Sequence, residues 1–285
     1  MHGGRLGSME TFANDGLTFE VRDSGPRRAD SDHTVVLLHG FPQTPAAWDA
    51  VAPLLHAAGV RTLAPSLRGY TANARPPGRS AYRIECLVGD VFALLDQAGL
   101  DSAHVVGHDW GGGVAWAAAM TTPERVRSLT VLSTPHPAAI RRAVLRSSQG
   151  LKSWYMLAMQ VPALPEMQLS RLVRKEGLRR LGVPADLSAA YAAQMSDAEA
   201  VRGMLGPYRG LFATAGAEAV KLDTPVSVPT TYLWGNRDPY LGRVAAEDTA
   251  RYCTGDYRFV EMDAGHWLPE KRPEVVGAEI LDRIR

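Results

Sequence analysis

Short apolar runs bounded by turn-forming residues recur along the chain, at Thr34–Leu38, Val60–Ala64, Ala103–Gly107, Ser128–Leu132, Thr230–Trp234 and Arg258–Met262. Each reads as a buried strand. Leu17–Arg22 differs, because apolar and polar residues alternate there as they do in an antiparallel edge strand. Between the runs the period lengthens. Ile84, Leu87, Val88, Val91, Leu94 and Leu95 recur at spacings that place them on one face of a helix ending near Gly99. Gly112–Met120 is small and apolar all round, which predicts a helix buried on its strand. Pro273 opens a last helix, where its missing N–H loses no bond. Strands alternating with helices imply a mostly parallel sheet covered on both faces.

From Pro137 to Asp223 the pattern changes. No strand-like run occurs, and short helical segments are split by Pro162, Pro165, Pro184 and Pro207. Ser196-Asp-Ala-Glu199 has the form of a capping box at the start of one of them. The strand pattern returns at Val228. The expected organisation is therefore a core domain of residues 9–136 and 224–285, interrupted by an all-helical lid of residues 137–223.

Composition narrows the partners. With 285 residues, 46% of them hydrophobic, the chain can bury a sizeable core. Its 31 Lys and Arg against 30 Asp and Glu give no global field to hold a phosphate backbone, so nucleic acid is not an expected partner. The basic cluster Arg171, Arg174, Lys175, Arg179 and Arg180 reads as a solvated helix face. Cys86 and Cys253 are far apart and show no metal-binding spacing, which fits free thiols in a reducing compartment. There is no signal-peptide pattern, Met1–Ser8 looks like a tail, and no apolar stretch approaches the ~18 residues of a spanning helix. A cytoplasmic protein without membrane insertion is expected. No self-complementary patch that would set an oligomeric state can be read.

The chemistry concentrates in Val105-Val-Gly107-His108-Asp109-Trp110-Gly111-Gly112-Gly113. A strand, a sharp turn and a helix follow one another, with small residues two before and two after Asp109. That arrangement lifts a single side chain above the sheet, at a helix N-terminus that favours negative charge. The residue is more commonly serine, and no Gly-x-Ser-x-Gly occurs anywhere in the chain. An aspartate, with an ordinary pKa of ~3.9, is already ionised and needs no base to attack. It attacks an sp³ carbon and leaves an alkyl ester of itself, which water then cuts.

A base and its orienting acid should follow in the order nucleophile, acid, histidine. Among eight histidines only His266 lies late, in Asp263-Ala-Gly-His266-Trp267, after the last strand. The acid falls at Asp238, in Leu233-Trp-Gly-Asn-Arg-Asp238-Pro, because Ser133-Thr-Pro-His-Pro137 offers no carboxylate after the preceding strand. Asp238 would fix the tautomer of His266. The turn His39-Gly-Phe41-Pro-Gln43 would supply one oxyanion-hole N–H from Phe41, and Trp110 the other. His39 itself reads as structural.

Together, His39-Gly-Phe-Pro-Gln, Gly107-His-Asp-Trp-Gly-Gly, Thr134-Pro-His-Pro137, Trp234-Gly-Asn-Arg-Asp-Pro and Gly265-His266 resemble the epoxide hydrolase family of α/β-hydrolases, from about Phe12 onward. The resemblance implies an α/β-hydrolase fold and conversion of a small apolar epoxide and water to a vicinal diol, with no metal or organic cofactor. It also implies two lid tyrosines that polarise the epoxide oxygen. Tyr155, with Gln160 five residues on, and Tyr208-Arg209 match the family's segments. Here Pro207 precedes the second tyrosine, and Met159 stands where the family has phenylalanine. Phe41, Trp110, Trp154, Met159 and Trp267 are expected to line the pocket. Which epoxide it takes is open. A haloalkane dehalogenase, sharing the Asp nucleophile, remains the alternative, with Trp154 as a possible second halide donor. A fluoroacetate dehalogenase shares the first turn but carries arginine after the nucleophile, where this chain has Trp110. A non-catalytic binding protein would tolerate loss of a catalytic group, and none is lost here.

Overall fold

The computed structural model of the protein describes residues 8–27, 33–195, 197–213 and 220–285. Eight strands form its sheet. They are β1 (Thr11–Asn14), β2 (Leu17–Ser24), β3 (Thr34–Leu38), β4 (Arg61–Pro65), β5 (Ala103–His108), β6 (Val126–Leu132), β7 (Thr230–Gly235) and β8 (Tyr257–Met262). Their order across the sheet is β1-β2-β4-β3-β5-β6-β7-β8. β2 pairs antiparallel with both β1 and β4, and every later pairing is parallel. All residues of β3, β5 and β7 are buried, as continuous apolar runs require when helices cover both faces.

Leu17–Arg22 is antiparallel as expected, but it is not the edge. β1 pairs outside it through a tight turn at Asp15-Gly16, both in the left-handed region at φ 51° and 73°. An Asp-Gly pair favours this turn because its twist matches that of the flanking strands. β1 is only four residues long, too short to show an alternation of its own.

Core helices α1 (Ala52–Ala57), α2 (Ile84–Gln97) and α3 (Trp110–Thr121) follow the first strands. α2 buries Leu87, Val88, Val91, Leu94 and Leu95 and stops before Gly99, which takes φ 69°. α3 buries nine of its twelve residues on β5 and β6, as its small apolar sequence predicts.

Between β6 and β7 every described element is helical. These are α4 (Pro137–Arg146), α5 (Gln149–Lys152), α6 (Trp154–Ala158), α7 (Leu164–Glu176), α8 (Ala185–Gln194), α9 (Ala198–Met204) and α10 (Gly206–Gly210). Pro165 and Pro207 stand in the first turns of α7 and α10, Pro184 caps α8 and Pro162 lies between α6 and α7, so the four prolines separate helical segments as expected. α9 begins where the capping box was expected. Its cap is Asp197, which accepts from the Ala200 N–H at 2.7 Å, while Ser196 lies outside the described residues. The chain returns to the core through α11 (Arg243–Asp248), α12 (Leu268–Lys271) and α13 (Pro273–Ile284), the last opened by Pro273. Among the described residues no helix is long and apolar enough to cross a membrane.

Candidate active site

Asp109 sits between β5 and α3 with φ 51° and ψ −117°, a backbone region that non-glycine residues rarely occupy. The turn is forced from both sides. A Cβ on Gly107 would lie 2.2 Å from the Gly111 carbonyl, and one on Gly111 would lie 2.3 Å from that of Leu38. Only residues without side chains let helix and strand approach this closely. Holding such a backbone costs ~1–3 kcal/mol, and strain of this kind clusters at functional sites.

The carboxylate is held at both oxygens. Oδ1 accepts from the Phe41 main-chain N–H at 2.8 Å, and Oδ2 lies 3.5 Å from Nε2 of His266. His266 Nδ1 in turn lies 2.7 Å from Oδ2 of Asp238. The other oxygen of Asp238 accepts from the Tyr240 and Leu241 N–H groups at 2.7 and 3.0 Å, which aims the carboxylate at the imidazole. Asp109, His266 and Asp238 thus form one line. The Trp110 N–H belongs to the first turn of α3, where no helical carbonyl is available to it.

Charge is unevenly distributed along that line. Burial would push His266 down, but Asp238 first and Asp109 with it outweigh burial and hold its pKa at about 10. Burial likewise opposes ionisation of Asp109, and His266 reverses this, leaving its pKa below the usual carboxylate value. The resting site is therefore an imidazolium between two carboxylates.

Tyr155 and Tyr208 stand over the carboxylate, their ring centroids 6.2 Å apart. Burial and then the Asp109 charge push both phenols upward, so both stay protonated and able to donate. The segments that carry them are tied together. Gln160 Nε2 donates to the Tyr208 carbonyl at 2.8 Å, and Arg209 donates to the Met159 and Val161 carbonyls at 3.0 Å each. Arg209 is anchored by Glu166 at 2.7 Å.

Two cavities meet at these groups. One of about 360 Å³ is lined by Phe41, Trp154, Met159 and Trp267 together with Asp109, Tyr155, Tyr208 and His266. Trp154 only edges it, being 67% exposed. Trp110 lines the second cavity, of about 400 Å³, which shares Asp109, Tyr155 and Tyr208 with the first.

Several supporting residues carried no sequence signal of their own. Gln43 Oε1 accepts from the Gly40 N–H at 2.7 Å and lies 2.7 Å from His108 Nδ1. Its amide nitrogen donates to Glu270 at 2.6 Å, and Tyr191 donates to the same oxygen at 3.1 Å. His108 and Ser133 both reach the main-chain oxygen of His266, at 2.9 and 2.8 Å. Tyr240 lies edge-on to the His266 ring at 5.0 Å. Gln43 and His108 stand inside the motifs already singled out, but only three dimensions give them partners. His39 is fully buried and accepts from the Leu67 N–H while its other nitrogen meets the Gly40 carbonyl, which fits a structural part.

The model of the alpha/beta hydrolase fold family matches residues 33–273. AB hydrolase superfamily protein YfhM of Bacillus subtilis is 35% identical, covering 96% of this chain and 97% of its own. Epoxide hydrolase A of Mycobacterium tuberculosis is 32% identical and is matched over 94% of both chains. The crystal structure of epoxide hydrolase A from Mycobacterium thermoresistibile superposes with a TM-score of 0.80 at 28% identity, over 95% of this chain and 96% of that one. The chain thus belongs to the α/β-hydrolase fold family and, within it, to the epoxide hydrolase family.

Proposed function

We propose that this protein opens epoxides with water through an ester on Asp109, helices 137–223 acting as a cap over the core of residues 9–136 and 224–285. The observation that carries this reading is a carboxylate at a strained strand-to-helix corner, within reach of an Asp-paired imidazole and beneath two protonated phenols in an apolar cavity.

Asp109 Oδ1 is fixed by the Phe41 N–H, which leaves Oδ2 to attack the epoxide carbon. The C–O bond breaks as Tyr155 and Tyr208 donate to the ring oxygen, one of them giving up its proton. General-acid help of this kind contributes ~10²–10⁴ in rate, and without it the alkoxide is a very poor leaving group. Esterification removes the negative charge of Asp109. Because that charge helps hold the proton on His266, its loss lowers the imidazole pKa, so the Nε2 proton passes to the tyrosinate and Nε2 becomes the base for the second step only. His266 then takes a proton from water, and the hydroxide adds to the ester carbonyl. The oxyanion is bound by the Phe41 and Trp110 N–H groups. As the intermediate collapses, the imidazolium returns its proton to the departing oxygen. The carboxylic acid left on Asp109 gives its own proton to His266, which restores the resting imidazolium, and a vicinal diol leaves.

Halide departure would need N–H donors instead of acids. Of the indoles that line the two cavities, Trp154 is largely turned to solvent and Trp267 already gives its N–H to the Leu181 carbonyl at 2.9 Å, which leaves Trp110. The test is turnover of a panel of small aryl and alkyl epoxides beside 1-chloro- and 1-bromoalkanes. Diol formation without halide release is the expected result; halide release alone would replace this reading with haloalkane dehalogenation.

A further inference from the structure

Helices α5 and α6 run on almost without a break, since the Lys152, Ser153 and Met156 N–H groups bond back to Ser148, Gln149 and Ser153. The inner side of this segment carries Tyr155, Met156 and Met159 against the core. The outer side is apolar as well. Leu151, Trp154 and Leu157 recur every three residues and are 79%, 67% and 64% exposed. Such spacing puts them on one face. The stripe extends on one side to Leu145, next to Val144, whose side chain lies against Gly150. On the other side it continues through Val161 to Leu164 and Met167 on α7, all exposed. A helix apolar on both sides needs a second apolar neighbour on its outer one.

The charge around this stripe is as lopsided as its hydrophobicity. Residues 141–180 carry nine Lys and Arg and only two Asp and Glu, in a chain whose total charge nearly balances; Arg141 and Arg142 pair with Asp223 and Asp248, and Lys152 donates to the Asp238 carbonyl. One of the two acids, Glu166, is buried on Arg209. Arg146 closes α4, and Arg171 and Arg174 continue the exposed row of Leu164 and Met167 along α7. Exposed Leu and Trp within a ring of Arg and Lys match the chemistry of an anionic lipid interface, where apolar side chains enter the headgroup boundary and basic ones meet the phosphates. Lys152 and Trp154 of this face also edge the cavity that holds Asp109.

We propose that this outer face, from Leu145 to Arg174, docks on the surface of an anionic phospholipid bilayer and opens the cavity of Asp109 toward apolar molecules dissolved in it. The segment lies on the bilayer and does not cross it. The proposal goes beyond the reaction assigned above and does not depend on it, because binding is read without turnover.

The test is co-sedimentation of the whole protein with phosphatidylcholine vesicles, with and without phosphatidylglycerol. A second readout is quenching of tryptophan fluorescence by brominated phospholipid, which reports on Trp154 because the other five tryptophans are buried or half-buried. Binding and quenching are expected only with phosphatidylglycerol and should fade as salt rises. Leu151→Ser with Leu157→Ser should weaken binding about tenfold or more. Arg146→Gln and Arg171→Gln should each weaken it about fivefold. Both sets should leave the unfolding temperature and any turnover of a freely water-soluble epoxide unchanged. Absence of binding and quenching would overturn the proposal, as would binding that survives both sets. So would a dimer dissolved by the leucine changes without any vesicle binding, which would assign the face to a second copy of the chain.

Discussion

A Cβ on Gly40 would lie 2.3 Å from the Cβ of Asp109 and 2.6 Å from its Oδ1. The proposed nucleophile therefore rests on a residue with no side chain, one position before the N–H that holds its oxygen. Gly40→Ala should push the carboxylate off that N–H while leaving the sheet intact. A shift of ~1 Å can cost about 10²-fold in rate, and that loss in kcat is expected with near-native circular dichroism. Activity within twofold of the parent would mean that the position of Asp109 is not what limits the reaction.

His266→Gln should let the first step proceed and stall the second. Incubation with an aryl epoxide should add one substrate mass to the protein, seen by intact mass spectrometry, and peptide mapping should place it on Asp109. Asp109→Asn in the same background should remain unmodified. An adduct of equal yield in both would show that another residue attacks.

Each of Tyr155→Phe and Tyr208→Phe should lower the rate of ester formation, and the pair should bring it near background, in line with ~10²–10⁴ for general-acid assistance. Single-turnover kinetics separate this step from hydrolysis of the ester. Should the double variant keep its epoxide rate, the phenols are only packing.

The imidazole of His266 is held at about 10, above its ordinary 6.5, so the folded protein binds this proton more tightly than the unfolded chain does. The stabilisation is complete below about 6.5 and is lost as pH climbs towards about 10. Denaturant midpoints should fall across that window. In Asp109→Asn one of the two carboxylates is gone, so the imidazole should titrate at lower pH by NMR, and the fall in stability, starting at about 6.5 as before, should be smaller and end at lower pH. An unmoved His266 titration would contradict the charge coupling on which the order of the two steps depends.

Away from the site, Arg68 donates to both oxygens of Asp90 at 2.8 and 2.7 Å, with side chains 2% and 10% exposed. Asp90→Ala would leave a buried guanidinium short of its partner and should cost about 3–5 kcal/mol of stability, read from denaturant unfolding. Epoxide turnover below the transition should persist. A cost under 1 kcal/mol would mean that Asp15, the other acid on Arg68, compensates.

What the sequence made legible was local in character. Asp109, His266 and Asp238 each follow a short apolar run beside a glycine or a turn residue, and those runs become β5, β8 and β7, parallel strands of one sheet whose ends bring the three side chains together. Tyr155 and Tyr208 had no such signal, since tyrosines among apolar residues look like core; only the family resemblance singled them out. The Gln43–Glu270 contact spans 227 positions and depends on chain closure, which no window of sequence contains. The β1 hairpin was missed because four residues cannot display a period, although Asp15-Gly16 is a turn signal in plain sight. Trp154, expected to line the pocket, does edge the cavity, while helical phase leaves most of its side chain outside.

The two cavities that converge on Asp109 have a stereochemical consequence for the proposed reaction. With Oδ1 pinned by a single N–H, the attacking Oδ2 can approach a three-membered ring from one direction only, with the substituents of the ring's two carbons sent into opposite arms. Mirror-image substrates would swap those substituents between arms of unlike shape, and the carbon presented to the oxygen would swap with them. The handedness of the diol would then follow from which arm accommodates which substituent, and reshaping either arm would be a route to inverting it.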